Sequence, residues 1–362
     1  MYRHFQTSAM AVFACLLLPT LGFSQAKSTT SSASTDQEIG GKKLHEWIKD
    51  ISHPDPGVRW TAMQVVIHFG AEAHKAVPAL VTELGDRDPS LRANAAFALG
   101  YLTLDPHDAS GAFRALGRAL SDQQQIVRFR AAMAIAAFGN AAKETIPQLV
   151  GALNDYNASW EVRKAIVAAL GITGTNRDEG PNLRALASLR NTLKDPCALV
   201  RGEALKGIIL MGKPAVPAEL QTTIASVKKA AHDRDKGVSL WANVALMRLD
   251  HVVPEQIQPI VKTLKSSDLQ LRLQAARALE TVGPEGAEYC VQDLIDCLGD
   301  HDADMVVAAI MALRQMGPAA AEAVSDLRKL KQDGNESVRQ AADAAIKSIT
   351  EQGKFKSGDS KK

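Results

Sequence analysis

The residues of this chain that could bind metal, attack a carbonyl or pass a proton are few and do not cluster. Nine histidines are scattered along it, and only His45 is followed by a glutamate, Glu46. His53, His68, His74, His107, His232, His251 and His301 precede Pro, Phe, Lys, Asp, Asp, Val and Asp. A metal centre needs several convergent ligands, and no ligand pair recurs here. Three cysteines follow the first 26 residues: Cys197, Cys290 and Cys297. Their spacing fits no zinc motif, and an odd number leaves at least one thiol unpaired. Cys290 and Cys297 lie seven apart on an expected helix, which sets their Cα atoms about 10 Å apart, beyond disulfide reach. They read as small apolar core residues. There is no P-loop, dinucleotide fingerprint, Gly-x-Ser-x-Gly or His-Glu-x-x-His, so the motifs that mark phosphate, nucleophile or zinc chemistry are missing. The expectation is a chain with no catalytic residues, no metal and no cofactor.

The elements that carry these residues are helical. Of 362 residues, 46% are hydrophobic and only 5% aromatic. Alanine-rich runs at 93–98 and 131–137 argue against a β-sandwich or barrel and for helices packed closely through small side chains. Lys+Arg 42 against Asp+Glu 40 leaves a formal +2, so no net charge draws the protein to nucleic acid or an anionic membrane.

Residues 1–26 have the layout of a secretory signal peptide: Arg3, the apolar run Ala9 to Leu18, Pro19, then Ser24-Gln25-Ala26 with small residues at the recognition positions. The run is too short for comfortable spanning. Cleavage is expected after Ala26, with Ser24 as the alternative. Cys15 resembles a lipoprotein cysteine poorly, because the apolar run continues past it. Residues 27–40 form a polar Ser/Thr-rich linker, and 351–362 a basic disordered tail. No other segment could span a membrane. Export then places the protein in the periplasm or outside the cell.

The remainder repeats. Helices expected to begin near Val58, Leu91, Val127, Val162, Val200, Val238, Leu271, Met305 and Val338 are separated by steps of 33 to 38 residues, the period of helical solenoids. Three residues before each anchor stand Asp55, Asp88, Gln124, Ser159, Cys197, Asp235, Asp268, Asp302 and Asn335. Seven of these nine can cap a helix N-terminus. One after the anchor stands arginine (Arg59, Arg92, Arg128, Arg163, Arg201, Arg272, Arg339) except at Ser239 and Val306. Four after it stands alanine, except at Ile166; eight after it the residue is always aliphatic. Twelve after it, Gly70, Gly139, Gly174, Gly212, Gly283 and Gly317 are placed to end the helix in a left-handed conformation. Between these helices lie shorter amphipathic ones with proline near the start, at Pro78, Pro147 and Pro217, where its missing N–H costs nothing.

Proline, aspartate, Val-Arg, Ala-Ala and Leu-Gly in that order resemble the HEAT-repeat family, in its exported bacterial, phycobilisome-lyase-like form. The resemblance covers residues 41–350, beginning with Gly41 to Ile48 as an opening helix. It implies an all-α, right-handed α-solenoid of about nine stacked HEAT-type hairpins, in which the aspartate and arginine columns pair between neighbouring units as a structural ladder. That ladder should be interrupted at Ser239 and Val306. Stretches Thr103 to Gly111 and Ile172 to Pro181 read as edge-loop insertions, and Lys228 to Lys236 as a lengthened turn. Within the family, a deoxyhypusine-hydroxylase-like enzyme would need repeated His-Glu pairs, and a bilin-lyase-like protein a pigment pocket; neither is marked here.

In HEAT-like proteins the second helix lines the concave face. Positions two, six and ten after each anchor lie opposite the alanine and aliphatic columns. In the first three repeats they place Trp60, Gln64, Phe97, Tyr101, Phe129 and Met133 on that face, and Leu240, Val244, Leu273, Val307 and Met311 follow further along. An aromatic and methionine patch is the composition of a protein interface. The expected function is a non-catalytic, monomeric protein-interaction scaffold that takes a protein or peptide partner on this face, with no role for nucleic acid.

Overall fold

The computed structural model describes residues 37–358, apart from Thr103, Asp105, Tyr156 and Arg177. The proposed signal peptide, most of the linker and the end of the basic tail lie outside the described residues. A two-stranded antiparallel hairpin, β1 (Glu38–Ile39) and β2 (Lys42–Lys43), precedes the first helix. Nine first helices follow among the described residues: α1 (Leu44–Asp50), α3 (Val77–Glu83), α5 (Pro106–Ala119), α7 (Ile146–Leu153), α9 (Leu183–Thr192), α11 (Pro217–Ala230), α13 (Pro254–Thr263), α15 (Ala287–Asp296) and α17 (Val324–Leu330). They alternate with nine second helices: α2 (Pro56–Val66), α4 (Pro89–Tyr101), α6 (Gln125–Phe138), α8 (Trp160–Thr173), α10 (Ala198–Met211), α12 (Lys236–Leu249), α14 (Leu269–Val282), α16 (Ala303–Met316) and α18 (Glu336–Gly358). The chain divides into two compact units between Leu189 and Arg190. Within each, consecutive second helices pack side by side. No described helix is long and apolar enough to cross a membrane.

Local chemistry accounts for the helix starts. All seven Asp, Asn and Ser residues at the cap column accept a backbone N–H from the first turn of their helix: Asp55 from Gly57, Asp88 from Ser90, Ser159 from Val162, Asp235 from Val238, Asp268 from Gln270, Asp302 from Met305 and Asn335 from Ser337. Gln124 and Cys197, which cannot cap well, make no such bond. Five of the six terminating glycines take a positive φ. Gly174 instead remains right-handed, because the chain there enters a loop closed by the Asn182 N–H on the Gly174 carbonyl. The stretch Thr103 to Gly111 is helical from residue 106 onward, as part of α5, and the turn expected over Lys228 to Lys236 is shorter, residues 231–235, because Lys228 and Lys229 close α11 and Lys236 opens α12. Pro106 stands at the first position of α5, where its missing N–H costs nothing, so this first helix simply begins earlier.

The column alanines Ala62, Ala95, Ala131, Ala204, Ala242, Ala275, Ala309 and Ala342 are fully buried. Seven of the nine aliphatic residues four positions later are also fully buried; Leu246 is nearly so, and Ile346 is half-buried. Small and branched side chains thus alternate along the packed face, which lets neighbouring helices approach closely. Cys290 is buried with its Sγ on the Gly286 carbonyl at 3.2 Å, and burial pushes its pKa up to about 12 and that of half-buried Cys297 up to about 11. All three described cysteines are free thiols.

The arginine column ties turns together, but not through the capping aspartates. Its aspartate partners stand five before the next anchor, or seven in the case of Asp155. Arg92 grips Asp122 with Nε and Nη2 at 2.7 and 2.8 Å, and its Nη1 donates to the Asp86 and Arg87 carbonyls of its own turn. Arg201 repeats this on Asp233, at 2.8 Å twice, with its Nη1 on the Asp195 and Pro196 carbonyls. Arg272 reaches Asp300 at 3.1 and 3.4 Å, Arg59 reaches Asp86 at 2.9 Å, and Arg128 stands 3.8 Å from Asp155. Arg163 and Arg339 hold carbonyls of their own turns. The Ser239 hydroxyl, in the arginine column, donates to the Ala231 carbonyl, and Val306 is buried. One oxygen of the acceptor aspartate also takes an N–H two residues on, as Asp122 does from Gln124 and Asp233 from Asp235. The capping aspartates could not serve as partners because their carboxylates already face their own helix.

These rungs give the fold a predictable acid response. Hydrogen bonds from Arg201 hold the Asp233 carboxyl below its ordinary value, against the effect of burial. At Asp122 burial opposes ionisation, but the bonds from Arg92 and the Gln124 N–H outweigh it. A depressed folded-state pKa contributes stability that is complete above the unfolded value of about 3.9; it is lost as pH falls through the folded value. Arg201→Ala is expected to cost about 1–2 kcal/mol at pH 7. Chemical denaturation at pH 7 and pH 3 should show that cost shrinking at the lower pH. An equal cost at both would contradict the assignment.

Candidate partner-binding face

Trp60, Gln64, Phe97, Tyr101, Phe129 and Met133 all lie in the first unit, on α2, α4 and α6. They are not equally available. Trp60 is 49% exposed and Tyr101 46%, and these two rings form the open part of the face. Phe97 and Phe129 are half-buried. Phe97 lies against Tyr101, ring centroids 4.6 Å apart and tilted by 45°. Gln64 donates to the Asn94 side chain, and Asn94 Nδ2 donates to the Trp60 carbonyl at 3.2 Å. Met133 is only 5% exposed, so the expectation that all five apolar side chains form one open surface is corrected. In the second unit Leu240, Val244 and Leu273 are buried as well, and Val307 and Met311 are half-buried.

The cause is the lateral register of the second helices. The side chain six after one anchor lies against the side chain three after the next anchor. Gln64 meets Asn94 in this way. Phe97 meets Arg130, whose guanidinium carbon stands 4.8 Å from the ring centroid. In the second unit Lys206 meets Trp241, its Nζ 5.2 Å from the ring, with cation and aromatic exchanged between the two positions. By the same register Met133 would face the small Ala165, and both side chains are buried. Cation–π contact of this kind is worth about 0.5–1 kcal/mol at an exposed site and more when desolvated. The column three after each anchor therefore carries residues that the stripe of two, six and ten misses: Asn94, Arg130 and Trp241. Its signal in the sequence is the single arginine among Thr61, Asn94 and Ala165 in the first unit.

Away from this face, side-chain chemistry is structural. Glu46 accepts the Lys43 N–H at 2.9 Å as a helix cap, so the one His-Glu pair serves the start of α1. Arg190 pairs with Glu219 at 2.6 Å and donates to Thr223. Glu83 is buried beside Arg59, its Oε2 3.2 Å from Nε, and burial raises its pKa. Among the described residues, no three His, Cys, Asp or Glu side chains gather as metal ligands.

Stacked helical hairpins with periodic second-helix contacts define a helical-repeat protein, built as a solenoid. Residues 113–189 and 257–347 match the model for HEAT repeats. Among solved structures, the crystal structure of an engineered protein from a structural-genomics consortium is 21% identical. The match covers 84% of this chain and 88% of that chain, with a TM-score of 0.45. No curated protein matches the chain.

Proposed function

We propose that this protein is an exported, non-catalytic scaffold that binds a protein or peptide partner through the second-helix face of its first unit. The observation that carries the reading is the pair of half-exposed rings, Trp60 and Tyr101, on adjacent second helices. Both are among the exposed large hydrophobic side chains, and Trp and Tyr, with Arg, are the residues enriched at the energetic centre of interfaces. The HEAT repeats supply a rigid surface on which such rings are held in a fixed relation. The exported placement follows from residues 1–26 alone.

Trp60→Ser with Tyr101→Ser is the direct test. Both side chains are open, so circular dichroism and the melting temperature should change little. Capture from the exported fraction of the native host, by the chain with and without these substitutions, should show a partner held by the parent and lost by the double variant. Loss of one buried interface aromatic typically weakens binding by about 2 kcal/mol, or some thirtyfold. A partner held equally by both chains would remove this face from the function.

A further inference from the structure

The arginines of the repeat column that make rungs each face a carboxylate or a set of carbonyls, but Arg130 does neither. Its guanidinium lies over the face of Phe97 at 4.8 Å, half-buried. Among the described residues it forms no salt bridge and no hydrogen bond. Burial draws its pKa below the ordinary arginine value, with Tyr101 acting in the other direction. Arginine stays protonated even so, and a partly desolvated charge without a counter-ion is an unfavourable arrangement that an incoming anion relieves.

The surroundings select the kind of anion. At positions two, three, six and ten after the first four anchors the ionisable residues besides Tyr101 are His68, Arg130 and Lys164, and there is no carboxylate. Glu161 lies in the first turn of α8, outside those positions. Two cations among exposed and half-exposed aromatic rings suit one carboxylate next to apolar groups. A polyanion such as nucleic acid would need several phosphate contacts. The face also continues on both sides of Arg130, towards Tyr101 and Trp60 in one direction and towards Phe129 and Lys164 in the other. A segment lying across it therefore enters and leaves, which points to a side-chain carboxylate within a peptide and not to a chain terminus.

We infer that the occupant is an extended peptide segment of a partner protein, carrying an Asp or Glu next to an apolar side chain. The carboxylate closes on Arg130 as a planar, bidentate pair, and the apolar side chain lies on Tyr101 and Phe97. The inference rests on the partner-binding reading above and adds the chemistry of the ligand to it.

Random dodecapeptides displayed on phage, selected against the full chain, supply the probe. The selected peptides should be enriched in Asp and Glu adjacent to Leu, Phe or Tyr. A selected synthetic peptide should bind Arg130→Gln about tenfold more weakly than the parent, the loss expected for one charge-assisted pair. Arg130→Lys should retain part of the acid preference. Should Arg130→Gln prove unfolded by circular dichroism, the peptide is changed instead: Asn or Gln in place of its acid should weaken binding to the parent by a similar factor. Peptides without acidic enrichment, or peptides indifferent to both changes, overturn the carboxylate inference and leave the aromatic face standing. Peptides unaffected by Trp60→Ser with Tyr101→Ser, or a selection that yields none, overturn the partner-binding reading and this inference with it.

Discussion

Ile166→Ala is expected to destabilise the first unit by about 2–5 kcal/mol, although alanine is what every other repeat carries at that position. Ile166 is fully buried and ranks among the largest side chains so placed. In the other repeats the column alanine is also fully buried, so the neighbouring helices there close to the distance a methyl group allows. In α8 the space was built for four carbons. Removing three of them leaves a void that the packed helices fill only in part, and the cost has both a transfer and a cavity component. Urea denaturation should show a lower midpoint with an unchanged slope. A change below about 0.5 kcal/mol, the usual size for a surface substitution, would mean that the column is interchangeable and that close packing does not set it.

Gly100→Val tests the same packing from the opposite direction, with an expected loss of about 3 kcal/mol. A β-carbon at residue 100 would stand 3.0 Å from the Ala134 Cα and 3.2 Å from its Cβ. The obstacle is backbone, which cannot rotate away as a side-chain tip can. Helices α4 and α6 would have to separate close to where Phe97 and Arg130 meet, so peptide binding should fall along with stability. Gly151 in α7 provides the control, since a β-carbon there meets nothing within 4 Å. Gly151→Ala should be neutral or stabilising by up to about 1 kcal/mol, because it only removes backbone freedom from the unfolded chain. Equal effects at the two glycines would contradict the close approach at Gly100.

What could be read from the sequence was whatever a side chain does to its own helix. The capping aspartates act on backbone two or three residues away, and the alanine and aliphatic columns recur on one face of one helix, so spacing alone places them. Contacts between repeats were harder to read. The rung aspartates Asp86, Asp122, Asp233 and Asp300 stand two residues before the capping column, and both columns look alike until the turn is folded. The aromatic face was legible in its residues but not in their exposure. Met133 is buried although its position matches those of Gln64 and Phe97, and the six-to-three register that joins neighbouring helices belongs to the pair and to neither alone. Arg130 escaped notice for the same reason: three after the anchor is an unremarkable position until a neighbour's Phe97 is laid beneath it.

The missing rungs at Ser239 and Val306 bear on the mechanics of the second unit. Arg201 and Arg272 each clamp two successive turns with a guanidinium, so shear between those repeats must break several bonds at once. Ser239 ties only its own turn, and Val306 contributes apolar packing, which resists separation but has no preferred direction. Bending stiffness therefore alternates along the stack. The joints after the sixth and eighth hairpins are its compliant points, where the unit can flex to follow the contour of whatever lies against it without unfolding a repeat.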